Sequence, residues 1–122
     1  MNELTEARKK INEIDEQMSK LFEQRMKVSK EVAEYKIKHS LPIYDEKREQ
    51  EVINKNSQYI EDNEIKEYYI DFLTEVMNIS KKYQEKIIKL IRSAITLFQK
   101  LLFAKGHRLS ADALLTLLTF DF

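Results

Sequence analysis

An all-helical fold, with a long helix, a short one, a second long one and a helical tail, is predicted by three features of this sequence. The 122 residues include one Gly (Gly106) and one Pro (Pro42), too few of the residues that make the frequent turns of a strand-rich domain. Apolar positions recur at helical spacing over stretches of thirty residues and more. With 43% hydrophobic and 34% charged residues, the chain has enough apolar material to fold and too much charge for a membrane span.

The first helix is carried by Leu4, Ala7, Ile11, Ile14, Met18, Leu21, Arg25, Val28, Val32 and Tyr35, which step by alternating threes and fours as a heptad seam. Its start falls loosely around residues 3 to 6, because Thr5 followed by Arg8, Lys9 and Lys10 makes a poor capping box. Its end lies before Pro42, which disfavours helical geometry at Leu41 and removes a donor. At 1.5 Å per residue such a helix is roughly 50 Å long. A monomer of residues 1–88 cannot cover it alone, so the helix is expected to pair with another chain or with equally long partners.

The second helix runs from Asp45, a suitable N-cap, to about Ser57, with Val52 and Ile53 on an apolar side. Glu61-Asp62-Asn63 suits the start of the third, in which Ile65, Tyr69, Phe72, Leu73, Val76, Met77, Ile79 and Tyr83 keep helical spacing. It reaches at least Ile88 and continues to about Lys105, where Gly106 is a natural stop. Ser110 then caps a short apolar helix from Ala111 to about Thr119.

The equal totals of 21 basic and 21 acidic side chains hide two unlike segments. Residues 1–88 hold 16 basic and 19 acidic side chains; residues 89–122 hold five basic and two acidic ones. The zero net charge gives no electrostatic footprint for nucleic acid. No Cys is present, which removes disulfides, thiolate nucleophiles and Cys-type zinc sites. His39 and His107 stand alone and far apart, so neither a histidine metal site nor a histidine base is expected. With one Gly, phosphate-binding and dinucleotide loops are excluded too. The start Met1-Asn2-Glu3-Leu4-Thr5-Glu6 lacks the features of a signal peptide, and the expected location is cytoplasmic.

Several polar residues stand where a core is expected. Arg25 sits on the seam, and an unpartnered buried guanidinium costs several kcal/mol. It reads either as a register-setting residue or as a ligand for an anion. Lys36, eleven residues on, returns to within about 20° of the Arg25 direction, about 16 Å further along the axis. Two cations on one face could converge on one anion, or Lys36 could simply be solvated. Asp45, Arg48 and Glu49 share one side of the second helix, as a surface ion-pair cluster or as part of a site. Ser80 and Gln84, an i, i+4 pair among Met77, Ile79 and Tyr83, are either site residues or solvent-facing. Any catalysis must come from fixed charges and hydrogen bonds.

Taken together, the runs Ala7-Arg8-Lys9-Lys10-Ile11-Asn12-Glu13-Ile14-Asp15, Glu23-Gln24-Arg25, Val32-Ala33-Glu34-Tyr35-Lys36 and Pro42-Ile43-Tyr44-Asp45-Glu46-Lys47-Arg48-Glu49, followed by Ser80 and Gln84, resemble the all-helical (type II) chorismate mutase family over about residues 4–88. The resemblance implies an isomerase that rearranges chorismate to prephenate in aromatic amino-acid biosynthesis, as an intertwined helical homodimer and without cofactor or metal. It makes Arg8 a carboxylate ligand reaching in from the other subunit and Arg25 the main carboxylate ligand within its own chain. Lys36 and Gln84 would serve the ether oxygen of the breaking bond. Glu49, with Asp45, would face the ring hydroxyl, and Arg48 and Ser80 would line the carboxylate end. Lys36, Gln84, Arg25 and Glu49 are thus the expected catalytic residues.

The competing readings are a helical dimerisation or adaptor module, which explains the seam but not the placed charges, and an inactive regulatory relative. The resemblance divides the chain into a catalytic unit, 1–88, and an extension, 89–122. Residues 87–104 carry Ile, Leu, Phe or Ala at 12 of 18 positions, broken by Lys89, Arg92 and Lys100, so no membrane span is expected. The tail reads as an extension packing on its own dimer, an interface for higher assembly, or a non-native appendage. The run Leu117-Leu118-Thr119-Phe120-Asp121-Phe122 would be an aggregation hazard if exposed, so it is expected to pack against something.

Overall fold

In a computed structural model of the chain, residues 2–119 are described, and they form four helices: α1 (Glu3–Lys38), α2 (Glu46–Ser57), α3 (Asn63–Ala104) and α4 (Ala111–Thr119). Among the described residues there is no strand. Each helix start has its own cap. Asn2 Oδ1 accepts from the Thr5 N–H at 2.7 Å and from its hydroxyl at 2.9 Å, so the residue that sets the start of α1 is Asn2. Asp45 Oδ1 accepts from Arg48 N–H at 3.0 Å, Asp62 from Glu64 N–H at 2.9 Å, and Ser110 Oγ from Ala113 N–H at 3.1 Å.

The stops are equally local. Ser40 takes φ +54° and the Leu41 N–H reaches back to the Lys36 carbonyl at 2.8 Å, closing α1 before Pro42. Gly106 takes φ +77°, a conformation that suits glycine, and the His107 N–H bonds the Leu102 carbonyl at 2.8 Å. The third helix passes through residue 88 without interruption.

Packing departs from the sequence expectation on α1. The residues of α1 that the chain itself buries are Ser29 and Ala33, which flank the heptad seam. Their small side chains let α1 approach α3 closely. The seam points away from that contact: Leu4, Ile11, Ile14, Leu21, Val28 and Tyr35 are each more than half exposed. Arg25 accordingly is not buried within the single chain, contrary to the expectation drawn from its seam position. On α3 the buried stripe is Leu73, Met77, Ser80, Gln84, Ile88 and Ile95, apolar at both ends and polar in the middle. Arg25 meets Ser80 while Ile37 packs beside Ile91 and Ile95, so α1 and α3 run in the same direction. The chain returns between them through α2.

The tail folds back on the far end of this pair. Leu114 and Leu115 are buried with Ile95, against Ile37, Ile91 and Leu102. Of the run expected to pack, Leu117 is largely exposed, contrary to that expectation, because α4 turns Leu114 and Leu115 inward instead; the side chains of Leu118 and Thr119, and Phe120, Asp121 and Phe122, lie outside the described residues. Leu114→Ala should therefore destabilise the protein by about 2 to 5 kcal/mol in denaturant unfolding. An unchanged midpoint would mean that α4 is not docked.

Candidate active site

The middle of the α3 stripe borders a cavity of about 290 Å³ between α1, α2 and α3, near the lower end of the roughly 300–1,000 Å³ usual for small-ligand pockets. Seven of the eight residues singled out in the sequence line it: Arg25, Lys36, Asp45, Arg48, Glu49, Ser80 and Gln84. Helix geometry explains the convergence. Arg25 and Lys36 lie three turns apart on one side of α1, Asp45 caps α2 with Arg48 and Glu49 at its start, and Ser80 and Gln84 are successive turns of α3.

The polar contacts hold these groups in place. Arg25 Nη1 donates to Ser80 Oγ at 2.6 Å, tying α1 to α3. Lys36 Nζ donates to the Ile43 carbonyl at 2.7 Å, tying α1 to the segment that precedes α2. Burial holds the Lys36 ammonium below its usual value of 10.5, and the carboxylates of Asp45 and Glu49 act in the opposite direction. Gln84 is 7% exposed, and its Oε1 is buried without a hydrogen-bond partner. Such a group is rare in a folded interior; rotating the terminal amide would put an NH₂ donor in the same place. Both open readings of Ser80 and Gln84 therefore resolve to buried, cavity-lining positions.

Arg8 is the exception. It is exposed and does not line the cavity of its own chain. Seventeen residues separate it from Arg25, about 25 Å along one straight helix.

Lys81 was not singled out from the sequence. Its Nζ donates to both carboxylate oxygens of Glu49, at 3.0 and 3.2 Å, and lies 4.8 Å from the centre of the Tyr44 ring. The signal was present, since Met77, Lys81, Gln84 and Ile88 step by four, three and four, but the pair Lys81-Lys82 reads as solvated charge. Ser29, Ile43, Val52 and Met77 complete much of the wall. The cavity gathers four cations and two carboxylates, an excess of two positive charges suited to a small dianion. Among the described residues no cluster of His, Cys, Asp and Glu could hold a metal ion, and no helix is long and apolar enough to cross a membrane.

A second, larger hollow of about 750 Å³ adjoins the first, lined by Met18, Leu21, Phe22, Tyr69, Phe72 and Ile79 among others. Arg25, Arg48 and Val52 border both. Arg25 and Arg48 therefore stand between a charged cavity and an apolar groove.

Comparison with known proteins bears on the family of the chain. The chain is 44% identical over 55 residues to a bifunctional chorismate mutase/prephenate dehydratase of Aquifex aeolicus (strain VF5), a stretch that is 45% of this chain and 15% of that protein. The match thus spans only a small part of that relative's length. No solved structure matches the chain. The family described as chorismate mutase type II matches residues 7–85, which hold all eight candidate residues, and the chain belongs to that family.

Proposed function

We propose that the chain catalyses the rearrangement of chorismate to prephenate, the step toward aromatic amino acids, as a homodimer with two active sites. The observation that carries this reading is the convergence of Arg25, Lys36, Asp45, Arg48, Glu49, Ser80 and Gln84 on one cavity, in a chain of the chorismate mutase family. The reaction is a pericyclic shift in which a C–O bond breaks as a C–C bond forms within one molecule. No proton, electron or group passes to the protein, so the reaction requires neither nucleophile nor cofactor. The enzyme selects the compact conformer and stabilises partial negative charge on the ether oxygen as its bond stretches.

Each residue then has a task. Arg25, already held by Ser80, grips one carboxylate, and Arg48 lies at the same end. Arg8 of the other subunit supplies the further guanidinium that folds the substrate over, an entropy-trap contribution. Lys36 and the Gln84 amide donate to the ether oxygen from fixed positions. Glu49, beside Asp45 at the start of α2, accepts from the ring hydroxyl. The Asp45 carboxylate also caps α2, so its service is partly structural. Residues 1–88 form the catalytic unit, and residues 89–122 are an extension of it.

The dimer is supported by the exposed seam and by the apolar groove next to Arg25. A second α1, presenting Leu4, Ala7, Ile11 and Ile14, would cover that groove and bring its Arg8 to the border shared with the charged cavity. The function is tested by following the absorbance of chorismate with purified protein, with sedimentation run alongside. Conversion to prephenate by a species of twice the chain mass is expected. No loss of chorismate, or a fully active monomer, would overturn the corresponding half of the reading.

The Lys36 role also sets a pH dependence. Lys36 must carry its proton to donate, and burial lowers its affinity for that proton. The alkaline limb of kcat/KM, which reports the free enzyme, should therefore fall below pH 10.5. Because Glu49 acts to raise the Lys36 value, Glu49→Gln should move that limb to still lower pH. A limb that stays in place or rises in this variant would separate Lys36 from the alkaline ionisation.

A further inference from the structure

Within the cavity, Lys81 and its contacts are not accounted for by the roles assigned above. Its ammonium has three N–H donors. Two point to Glu49, one to each carboxylate oxygen, at 3.0 and 3.2 Å, and the charge sits 4.8 Å from the centre of the Tyr44 ring. Lys81 and Glu49 are 25% and 20% exposed, against 66% and 55% for the pair Arg48–Glu51 within α2. Unlike that more exposed pair, Lys81–Glu49 joins two helices, and both of its members line the cavity.

Resting on the function proposed above, we infer that Lys81 is a positioning residue for Glu49: it fixes the carboxylate that receives the substrate's ring hydroxyl and, through Tyr44, ties the segment before α2 to α3. The geometry separates this role from that of a substrate ligand. A carboxylate left alone on the first turn of a short helix samples several rotamers, and each one lost on binding costs affinity. A cation held across both oxygens selects one orientation and leaves each oxygen a further lone pair for a hydroxyl donor. Lys81 itself, with two donors committed and its charge over an aromatic face, has little left to give a substrate carboxylate. Lys36 is tied to Ile43 in the same segment, so the stretch from Ile43 to Asp45 is fastened from both long helices.

The test is a double-mutant cycle on the full chain, with Lys81→Met, Glu49→Gln and the combination, read as kcat/KM for chorismate. Lys81→Met should lower kcat/KM by about 10- to 100-fold, as expected for losing a hydrogen bond to a charged group. The double variant should be no worse than Glu49→Gln alone, because a residue that acts only through Glu49 has nothing left to position. Lys81→Arg should restore most of the loss, since a guanidinium also spans two carboxylate oxygens. Losses that multiply in the double variant would make Lys81 a direct ligand and overturn the inference, as would wild-type kcat/KM in Lys81→Met. Helix content and melting temperature are read for every variant, and a Lys81→Met chain that melts at lower temperature and is not rescued by Lys81→Arg also counts against it. If the wild-type chain leaves chorismate unchanged, the function itself fails and this inference with it; turnover with multiplicative losses overturns only the role of Lys81.

Discussion

Lys36→Ala is expected to lower kcat by about 100- to 1000-fold, the effect typical of removing a preorganised donor from a developing oxyanion. Two features of the structure support the donor role proposed for Lys36. It stands where α1 closes on the cavity, and its Nζ is already held at 2.7 Å from the Ile43 carbonyl, so little reorganisation is needed to direct it. Its partial burial strengthens any interaction with charge that develops nearby. Removing the side chain also releases the Ile43 carbonyl, a loss of about 1 kcal/mol in stability, which leaves the helices intact. Far-ultraviolet circular dichroism and sedimentation should therefore match the wild type while turnover collapses. Near-normal kcat in a folded Lys36→Ala protein would remove the ether-oxygen assignment.

A second large effect follows from the position of Arg8. Arg8→Ala and Lys36→Ala homodimers should each be close to inactive, because every site lacks one essential cation. Mixed and allowed to exchange subunits, they form heterodimers in which one site takes Lys36 from one chain and Arg8 from the other. Random pairing in equal amounts makes about half of the dimers mixed, with one intact site in each, so roughly one quarter of the wild-type activity should return. The estimate depends on the site being shared. If Arg8 acted within its own chain, no pairing would bring both wild-type residues to one site and no activity would return. The 25 Å that separate Arg8 from Arg25 along α1 argue for recovery.

The helices themselves were legible from sequence because their signals are local. Pro42 and Gly106 mark where α1 and α3 cannot continue, Asp45, Asp62 and Ser110 offer side-chain oxygens to free N–H groups, and apolar spacing fills the intervals. The start of α1 was less legible, because Thr5 offers a capping hydroxyl without an acidic residue three positions on, and in the fold both its N–H and its hydroxyl donate to Asn2, which is the cap. The candidate site was legible for a related reason. Polar residues at core spacing, such as Ser80 and Gln84, are costly unless they have a use, and seven of the eight candidates do meet in one cavity.

What the sequence by itself determined is therefore the four helices, their ends and the residue types offered to a site, since capping, periodicity and turn chemistry act within a few residues. Only the tertiary structure decided which faces meet. It placed Ser29 and Ala33, rather than the seam, against α3, turned Lys81 and not Lys82 toward Glu49, and docked Leu114 and Leu115 on Ile95 beside the end of α1. Those choices depend on close packing between side chains far apart in the chain, where an extra methylene or a rotation of one helix changes the partner. A repeating apolar pattern states that a face will be covered; the shapes of the opposing helices determine what covers it.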